Sequence, residues 1–515
     1  MTQHLDVKRL LVRNTAWNYV GFTVNLAANL LLFPYIVHRL GDAEAGIWLL
    51  LGSVTGYMGL LELGLVPSLS QSIAADLGRG DRHALDEAAS TTLVLLCALA
   101  AIPLLGLPAV PWLARSFQVP AGLERQAERA FQVAIAGFAL RMPLATFQAV
   151  LLGTQRQDRC SQRWILVVAA KAVGAVVLLS MGFGLVPIVA MEALVHLSAG
   201  IPQSRWAFRE IPALKLRPGL ARAGRASALV SFGGTLLVLS LCSVMTDQTN
   251  RLVIAAFLPV AMVTYFSAGW KLYQFAYAVP TTLVQAVAPL AAHLHGRRDL
   301  AGLEDLLVRM TKYTAGVAWP LTLSLGFCAA FLLDLWMGPA FAAHFRVVQV
   351  LAVAFLVTAY NHTAYSILVG TRRVGPLLWM YQLPVAAATL GLSVWLVRRM
   401  GIVGVAGATV VPTIALEYVF LRFALSELHV GWTVFLRQVV LPTAGPALVA
   451  FAPLAAAYAV LDARSPGLPA VATGCSLLYA VLFWALSLDP SERSEVLAHT
   501  PMAGRIGQAS PPRGH

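Results

Sequence analysis

The amino-acid sequence predicts an all-α polytopic membrane protein of about fourteen transmembrane helices. Three observations predict this fold class. Hydrophobic residues make up 58% of the 515 residues and charged residues only 12%, and the mean hydropathy is +0.72. An ordinary soluble domain is about a quarter charged. Apolar stretches long enough to cross a bilayer recur along the whole chain, and a pattern in its first half returns in its second half.

The apolar stretches predict the individual spans. A transmembrane helix needs roughly 20 mostly apolar residues to cross about 30 Å of hydrocarbon. The eighth stretch is long, and Pro259 and Pro280 predict a bent helix there. The predicted spans lie near 14–37, 46–75, 88–113, 130–152, 164–182, 185–204, 228–250, 253–290, 313–336, 347–370, 375–397, 402–424, 436–460 and 467–488.

The distribution of basic residues predicts the orientation. With the N-terminus in the cytoplasm, 25 of the 37 lysines and arginines fall on the cytoplasmic side and nine on the other side. This asymmetry agrees with the positive-inside rule. The N-terminal segment has no small-residue cleavage site, so we expect a retained lead-in rather than a signal peptide. An even number of spans then places both termini in the cytoplasm.

An internal repeat predicts how the spans are grouped. Three motifs recur in the same order at an offset of 217 or 218 residues, at equivalent positions relative to the spans. The repeat unit contains six helices, so the two halves have the same orientation and are related by a pseudo-twofold axis along the membrane normal. The matched pairs are GRGDRHALDE (78–87) with GRRDLAGLED (296–305), LLGTQR (151–156) with LVGTRR (368–373), and GLVPIVA (184–190) with GIVGVAG (401–407).

The repeat sets the predicted domains. Two parallel six-helix bundles enclose a central cleft, the arrangement expected for alternating access, and two further helices follow. The predicted segments are a cytoplasmic N-terminus (1–13), an N-terminal bundle (14–204), a cytoplasmic linker (205–227), a C-terminal bundle (228–424), two extra transmembrane helices (425–488) and a cytoplasmic tail (489–515).

Several classes of function are disfavoured by the residues themselves. The net charge of +13 comes from short loops without a nucleic-acid-binding motif, so nucleic acid is not an expected partner. The five cysteines show neither a disulfide framework nor metal-ligand spacing. No phosphate-binding glycine loop or hydrolase motif occurs, so we expect no cofactor and no enzymatic activity. A membrane glycosyltransferase or ligase, the alternative from another class, would need external catalytic acids that the short loops do not offer.

Charged side chains within the spans mark the candidate binding residues. Each costs about 2.5–3.5 kcal/mol at mid-membrane, so we expect them to face a cavity or a partner. Arg141 lies two residues before Pro143, which kinks a helix and suits a cavity wall. For Lys171 the alternative is extension to the cytoplasmic interface. The predicted substrate-binding residues are Arg141, Lys171, Arg251, Lys271, Asn25 and Asn29.

Two carboxylates are candidate ion carriers. Glu62 is isolated in an apolar helix, where it either carries a proton or ties two helices together by a hydrogen bond. Asp247 is four residues before Arg251, so the two form either a self-neutralising pair or a pair that a substrate phosphate or a proton can separate.

The remaining polar side chains of the spans have more local interpretations. Asn18, Asn25 and Asn29 form one stripe, which predicts hydrogen bonding between helices, with the lining of a sugar-binding cavity as the alternative. Glu192 and His196 form a second pair four residues apart, which is expected to be structural. Glu417 is expected at the cytoplasmic interface.

Two segments carry a family resemblance. RLGDAEAGIWLLLGSVTGYMGLLELGLVPSLSQSIA (39–74) resembles the signature of the first two helices of polysaccharide transporters, the Wzx-type oligosaccharide flippases. DQTNRLVIAAFLPVAMVTYFSAGWKLY (247–273) is similar to the Asp-Arg segment of the same family. The family belongs to the MATE-like multidrug/oligosaccharidyl-lipid/polysaccharide exporter superfamily.

The resemblance implies a function. It implies a MATE-like fold and a lipid-linked oligosaccharide substrate on undecaprenyl pyrophosphate, flipped from the cytoplasmic to the outer leaflet of a bacterial inner membrane. A proton or sodium gradient is the expected driver. Expected partners are this substrate, membrane lipids, and a polysaccharide polymerase with other biosynthesis proteins. A lipid II flippase and a cation-coupled multidrug exporter of the same superfamily are the rivals within transport.

Overall fold

The computed structural model describes residues 2–62, 64–212, 214–371 and 373–499, and every regular element in these ranges is helical. The helices are α1 (Thr2–Leu40), α2 (Asp42–Met58), α3 (Leu65–Arg79), α4 (Arg82–Leu105), α5 (Val110–Arg115), α6 (Glu124–Arg141), α7 (Ala145–Gly153), α8 (Gln157–Ser180), α9 (Leu185–Ser198), α10 (Gly200–Glu210), α11 (Ala223–Phe257), α12 (Ala261–Val284), α13 (Val287–Gly296), α14 (Leu300–Met337), α15 (Pro339–Ala342), α16 (Arg346–Gly370), α17 (Val374–Pro376), α18 (Leu383–Glu427), α19 (Trp432–Phe435), α20 (Leu441–Val460), α21 (Gly467–Leu482) and α22 (Pro490–His499). Short 3₁₀ turns extend or join several of them, and π-helical turns cover Leu377–Gln382, Leu436–Val440 and Phe483–Ser487.

Twelve helical stretches of the described chain are long and apolar enough to cross a membrane. One of these, Leu377–Glu427, covers two predicted spans, and its helix breaks at Gly401, where φ is 60°. The predicted seventh span lies within α11, which is 35 residues long and is not among the twelve. The all-α membrane fold is therefore confirmed, whereas the count of fourteen stays a prediction.

The internal repeat reappears in the local geometry of two helix starts. Asp81 caps α4 by accepting a hydrogen bond from the backbone N–H of Ala84 at 3.0 Å. Asp299, its counterpart at an offset of 218, caps α14 in the same way through the N–H of Gly302 at 2.8 Å. The preceding residues, Gly80 and Arg298, both have left-handed backbones with φ of 70° and 58°. The shared sequence motif thus encodes the same helix–turn–helix geometry twice.

The chain divides into two units. The first extends to Ala268 and includes Gln382–Thr409. Within it α1 packs on α8, α6 on α9, α3 on α7, and α11 on α2, α3 and α4. At one close approach the Cβ of any larger residue at Gly46 would lie 2.3 Å from the carbonyl oxygen of Val260, so only glycine fits there.

The second unit comprises Gly269–Tyr381 and the chain from Val410 onward. Its long helix α14 packs on α16, and α20 and α21 pack on α14. A cluster of buried apolar side chains that includes Cys328, Phe451 and Tyr479 forms this last contact. The two helices after the repeat thus share a core with α14.

The predicted linker 205–227 lies within the first unit. It contains the end of α10, a 3₁₀ turn at Pro218–Leu220 and the start of α11. The backbone N–H of Lys215 donates to Asp86 at 3.0 Å, and Leu214 is buried. The boundary between the units falls at Ala268, within α12. The division into two six-helix bundles and a linker stays a prediction.

Candidate functional site

A break in a helix positions Arg141 inside the first unit. α6 ends at Arg141 and the chain continues through a 3₁₀ turn, Met142–Leu144, because Pro143 has no N–H for a helical hydrogen bond. The Arg141 guanidinium lies over the ring of Phe138, 4.5 Å from its centroid. It also interacts electrostatically with Glu62, in the 3₁₀ turn that follows α2. Two predicted site residues, one cationic and one anionic, therefore lie in the same part of the first unit.

Four further ionisable side chains join this region from α8 and α9. His196 interacts electrostatically with Lys171, Arg141 and Arg163, and Arg163 interacts with Arg141. Lys171 Nζ forms an ion pair with Glu192 at 3.0 Å. We name Arg141, Arg163 and Lys171, with His196, the cationic group.

The positive charges of the cationic group outnumber the negative charges of the carboxylates near it. Its two arginines and one lysine face two carboxylates, Glu62 and Glu192, so with a neutral imidazole one positive charge remains in excess. Burying an uncompensated charge is costly, which favours an anionic ligand in this part of the unit. The Nε of Arg163 and the Nδ1 of His196 are buried and have no hydrogen-bond partner within the described residues.

Two adjoining cavities lie beside the cationic group. The larger cavity has a volume of about 370 Å³, and the smaller cavity about 140 Å³. Asn25 and Trp164 line both of them. The larger cavity is lined by Asn18, Gly21, Phe22, Asn25, Gln148, Gln157, Cys160, Ser161, Arg163, Trp164 and Gln203. Lys171, Glu192 and His196 line the smaller one. The amide side chains can hydrogen-bond the hydroxyl groups of a ligand, and the guanidinium can bind an anion.

The asparagine stripe of α1 makes local hydrogen bonds and borders the cavities. Asn18 accepts a hydrogen bond from the hydroxyl of Ser161 at 2.5 Å, which joins α1 to α8. Asn29 Nδ2 donates to Asn25 Oδ1 at 3.1 Å, and both asparagines line the smaller cavity. Asn18 therefore joins two helices, whereas Asn25 and Asn29 bond to each other, and all three line a cavity. Their contact with a substrate stays a prediction.

The other predicted site residues lie elsewhere. Arg251, on α11, donates to Gln248 Oε1 at 2.8 Å and to Ser267 Oγ at 3.2 Å. Asp247 has an exposed side chain and interacts with Arg251 only electrostatically, so neutral groups hold this guanidinium. Lys271 is half-buried on α12, beyond the boundary at Ala268, and belongs to the second unit.

Sequence reasoning missed Arg163 and misplaced Glu417. Arg163 was expected in a loop, but α8 begins at Gln157, which puts this residue in the helix two turns before Lys171. Glu417 was expected at an interface, but it is 1% exposed inside the second unit. Tyr381 and Asn361 donate hydrogen bonds to its carboxylate, which makes burial possible. Within the described ranges, no three His, Cys, Asp or Glu side chains come together as metal ligands.

Solved structures of known proteins show which class of fold this chain has. An inward-facing multidrug-resistance MATE family transporter of the MOP superfamily has a TM-score of 0.69 at 16% identity, over 82% of this chain and 98% of its own. Lipid II flippase MurJ, in an inward closed conformation, has a TM-score of 0.74 at 10% identity, over 92% and 98%. A MOP superfamily transporter from Pyrococcus furiosus has a TM-score of 0.60 at 18% identity, over 82% and 96%.

The chain is thus a multi-pass membrane protein with the fold of the MOP superfamily. No protein of curated function matches its sequence. Residues 81–346, just over half of the chain, match the family model described as polysaccharide biosynthesis protein. The chain belongs to this polysaccharide biosynthesis protein family.

Proposed function

We propose that this protein is a flippase that moves a lipid-linked oligosaccharide, carried on undecaprenyl pyrophosphate, from the cytoplasmic to the outer leaflet of a bacterial inner membrane. The observation that carries the proposal is the cationic group with its one excess positive charge, beside cavities lined by amides. Membership of a polysaccharide biosynthesis family supports a glycan substrate.

The chemistry of the substrate fits these residues. A guanidinium binds phosphate through two parallel hydrogen bonds, so Arg141 and Arg163 would hold the pyrophosphate. The amides of Asn25, Asn29 and Gln203 would hydrogen-bond sugar hydroxyls. The lipid tail would stay in the bilayer, since moving it into a polar cavity would cost about 0.8 kcal/mol per CH₂ group. Arg251 and Lys271 would contact the head group later in the cycle.

Alternating access requires contacts that can open. Near the α1–α2 turn, the hydroxyl of Tyr265 donates to Asp42 at 2.5 Å, and the hydroxyl of Thr264 donates to the Asp42 carbonyl at 2.7 Å. The loop before α6 adds two backbone hydrogen bonds, from Gln118 N–H to Ala255 at 2.9 Å and from Val260 N–H back to Gln118 at 3.2 Å. Release of the substrate at the end of the protein that carries the α1–α2 turn would break these contacts. A proton or sodium gradient would drive the cycle, with Glu62 and Asp247 as carriers.

One second function is supported by an observation. The fold match to a lipid II flippase covers 92% of the chain, and lipid II also carries a pyrophosphate that the cationic group could bind. A multidrug exporter for cationic drugs is less well supported, because the excess charge of the site is positive.

The proposal is tested by deleting the gene and measuring lipid-linked oligosaccharides in each leaflet. We expect accumulation on the cytoplasmic face, and accumulation of lipid II instead would favour the second function. Unpolymerised or unligated glycan on the outer face would indicate an enzyme and contradict a flippase.

Variants test the assignment of the site. The double variant R141A/R163A should abolish display of surface glycan at an unchanged protein level. Arg115→Ala, which removes an exposed charge outside the site, is the matched control and should retain display. The double variant R141A/R251A removes one arginine from the cationic group and one from α11, and it should also abolish display. Full display in R141A/R163A would refute the assignment.

A further inference from the structure

The two cavities of the first unit lie in series between two parallel helices. The hydroxyl of Ser161 on α8 donates to Asn18 on α1 at 2.5 Å. Further along both helices, the hydroxyl of Tyr35 donates to the carbonyl of Val176 at 3.3 Å. The residue numbers rise together, so α1 and α8 run in the same direction. The larger cavity therefore lies on the N-terminal side of this contact, and the smaller cavity follows it along both helices.

One face of α8 presents an amide, an indole and an ammonium group in order along the cavities. Gln157, Trp164 and Lys171 are spaced by seven residues, so they share a face and are separated by two turns, about 10.5 Å each. Gln157 lines the larger cavity, Lys171 lines the smaller one, and Trp164 lines both. Asn25 on α1 also lines both cavities. We name Trp164 and Asn25 the neck.

The cavities on the two sides of the neck suit groups of different size. At roughly 30 Å³ for each water, the smaller cavity of about 140 Å³ has room for about five waters, and the larger cavity of about 370 Å³ for about twelve. A phosphate group fits the smaller volume, where Lys171 supplies a positive charge. A pyranose ring with its hydroxyl groups has many more atoms and fits only the larger cavity.

An unpaired amide oxygen in the larger cavity requires a hydrogen-bond donor. Gln203 is 2% exposed, and its Nε2 donates to the carbonyl of Leu144 at 3.2 Å, which fixes the orientation of the amide. Its Oε1 has no partner within the described residues. Buried polar atoms are almost always hydrogen-bonded, so this oxygen indicates a donor on the ligand. An ionised pyrophosphate has only acceptors, whereas the hydroxyl or amide group of a sugar can donate.

We propose that the sugar joined directly to the pyrophosphate stacks on Trp164 and donates a hydrogen bond to Gln203. Arg163 precedes Trp164 in α8 and Lys171 follows it by two turns, so phosphates held by the cationic group lie beside the neck. The Trp164 side chain is 46% exposed and accessible to a ligand. The face of an indole carries partial negative charge, so the C–H groups on one side of a pyranose ring pack on it favourably. This inference rests on the proposed flippase function.

The test compares lipids with and without a sugar on the purified full-length chain in detergent. The sugar-free probe is undecaprenyl pyrophosphate. The glycosylated probes are the same lipid carrying a single glucose, galactose or N-acetylglucosamine. We expect at least one glycosylated probe to bind about fivefold more tightly than the sugar-free probe in a calorimetric titration. R141A/R163A should weaken the binding of every probe, because it removes the guanidinium groups proposed to hold the pyrophosphate.

Variants of the tryptophan separate contact with the sugar from contact with the lipid. Trp164→Leu should lower the affinity for the preferred glycosylated probe to that for the sugar-free probe, which should itself bind as in wild type. Trp164→Phe keeps an aromatic face and should retain most of the preference. Trp112→Leu, the same change at an exposed tryptophan on α5 outside both cavities, is the matched control and should behave as wild type. If W164L does not fold, Gln203→Leu removes the amide oxygen and should reduce the same preference.

The outcomes distinguish this inference from the flippase proposal. If the wild type binds the sugar-free probe and every glycosylated probe equally, the stacking proposal is overturned and the assignment of the cationic group is unaffected. An equal loss of affinity for all probes in W164L would show that the indole contacts the lipid or supports the fold, and would also overturn it. If the wild type binds none of the probes, including undecaprenyl pyrophosphate, the flippase proposal itself fails.

Discussion

The ionic contacts of Asp76 hold the start of α11 against α3 within the first unit. Asp76, at the end of α3, is 0% exposed and forms ion pairs with Arg225 at 3.2 Å and with Arg79. Ser68 on the same helix donates to the carbonyl of Leu229 at 2.9 Å. We expect Asp76→Asn, which keeps the shape but removes the charge, to loosen the first turns of α11 while the rest of the unit stays folded.

The size of the expected loss of local stability follows from the exposure of Arg225 and the usual strength of charged hydrogen bonds. Hydrogen bonds to charged groups contribute about 1.5–3 kcal/mol and neutral ones about 0.5–1.5 kcal/mol. Arg225 is 28% exposed and can be rehydrated once its partner is neutral, which places the loss at the low end. A loss of about 1.4 kcal/mol makes local opening about tenfold more frequent.

Hydrogen exchange measures this opening directly. Backbone amides of 223–233 should exchange about tenfold faster in the variant, while those of α6 and α8 keep their wild-type rates. Arg79→Gln is the control: its side chain is 63% exposed, so its ion pair should contribute only about 0–1 kcal/mol. Wild-type exchange in 223–233, or an equal acceleration in every helix, would refute the role assigned to Asp76.

Three further predictions concern other contacts. Burial raises the pKa of Glu492, but hydrogen bonds from Lys312, the Asp489 N–H and Tyr313 and the Lys312 charge outweigh it, so the net pKa is lowered. Its stabilising contribution is therefore full above the unfolded pKa of about 4.3 and is lost as pH falls through the lower folded value; Glu492→Gln should remove this acid-dependent part of the melting profile. Gly46→Val should place its Cβ 2.3 Å from a carbonyl oxygen, and thermal melting should show a loss of stability or of fold. Lys171→Met should destabilise by leaving Glu192 unpaired, and adding Glu192→Gln should restore most of the melting temperature, since the single variant leaves one charge of a partly buried pair without its partner and the double variant removes both charges.

The sequence predicts local features of this fold well. Apolar runs predicted the helices, and Pro143 predicted the break after Arg141. The repeated motif was recognised in the sequence, and the structure shows that Asp81 and Asp299 cap equivalent helices in it. These features depend on residues within a few turns of one another. Local sequence therefore carries the information that defines them.

Features that depend on distant residues could not be predicted. Lys171 pairs with Glu192 on another helix, which no spacing rule indicates. Glu417 is buried because Tyr381 and Asn361, 36 and 56 residues away, supply hydrogen bonds in the interior. Arg163 was missed because the start of α8 contains as many basic residues as the predicted loops. The structure places it inside α8, where it lines the larger cavity.

There is a physical reason for carboxylates to lie beside the cationic group. Three cations without partners would be costly in a membrane, and Glu62 and Glu192 lower that cost when no ligand is present. In the proposed cycle an arriving phosphate would compete with Glu192 for Lys171, and this competition would weaken its binding. A carrier needs this weakness, because a ligand that is bound too tightly on one side cannot leave on the other. The proposed flippase should therefore bind its head group more tightly in Glu192→Gln but release it more slowly, so that a direct binding assay would show a gain while glycan display falls. Unchanged binding in this variant would show that Glu192 does not compete with the ligand.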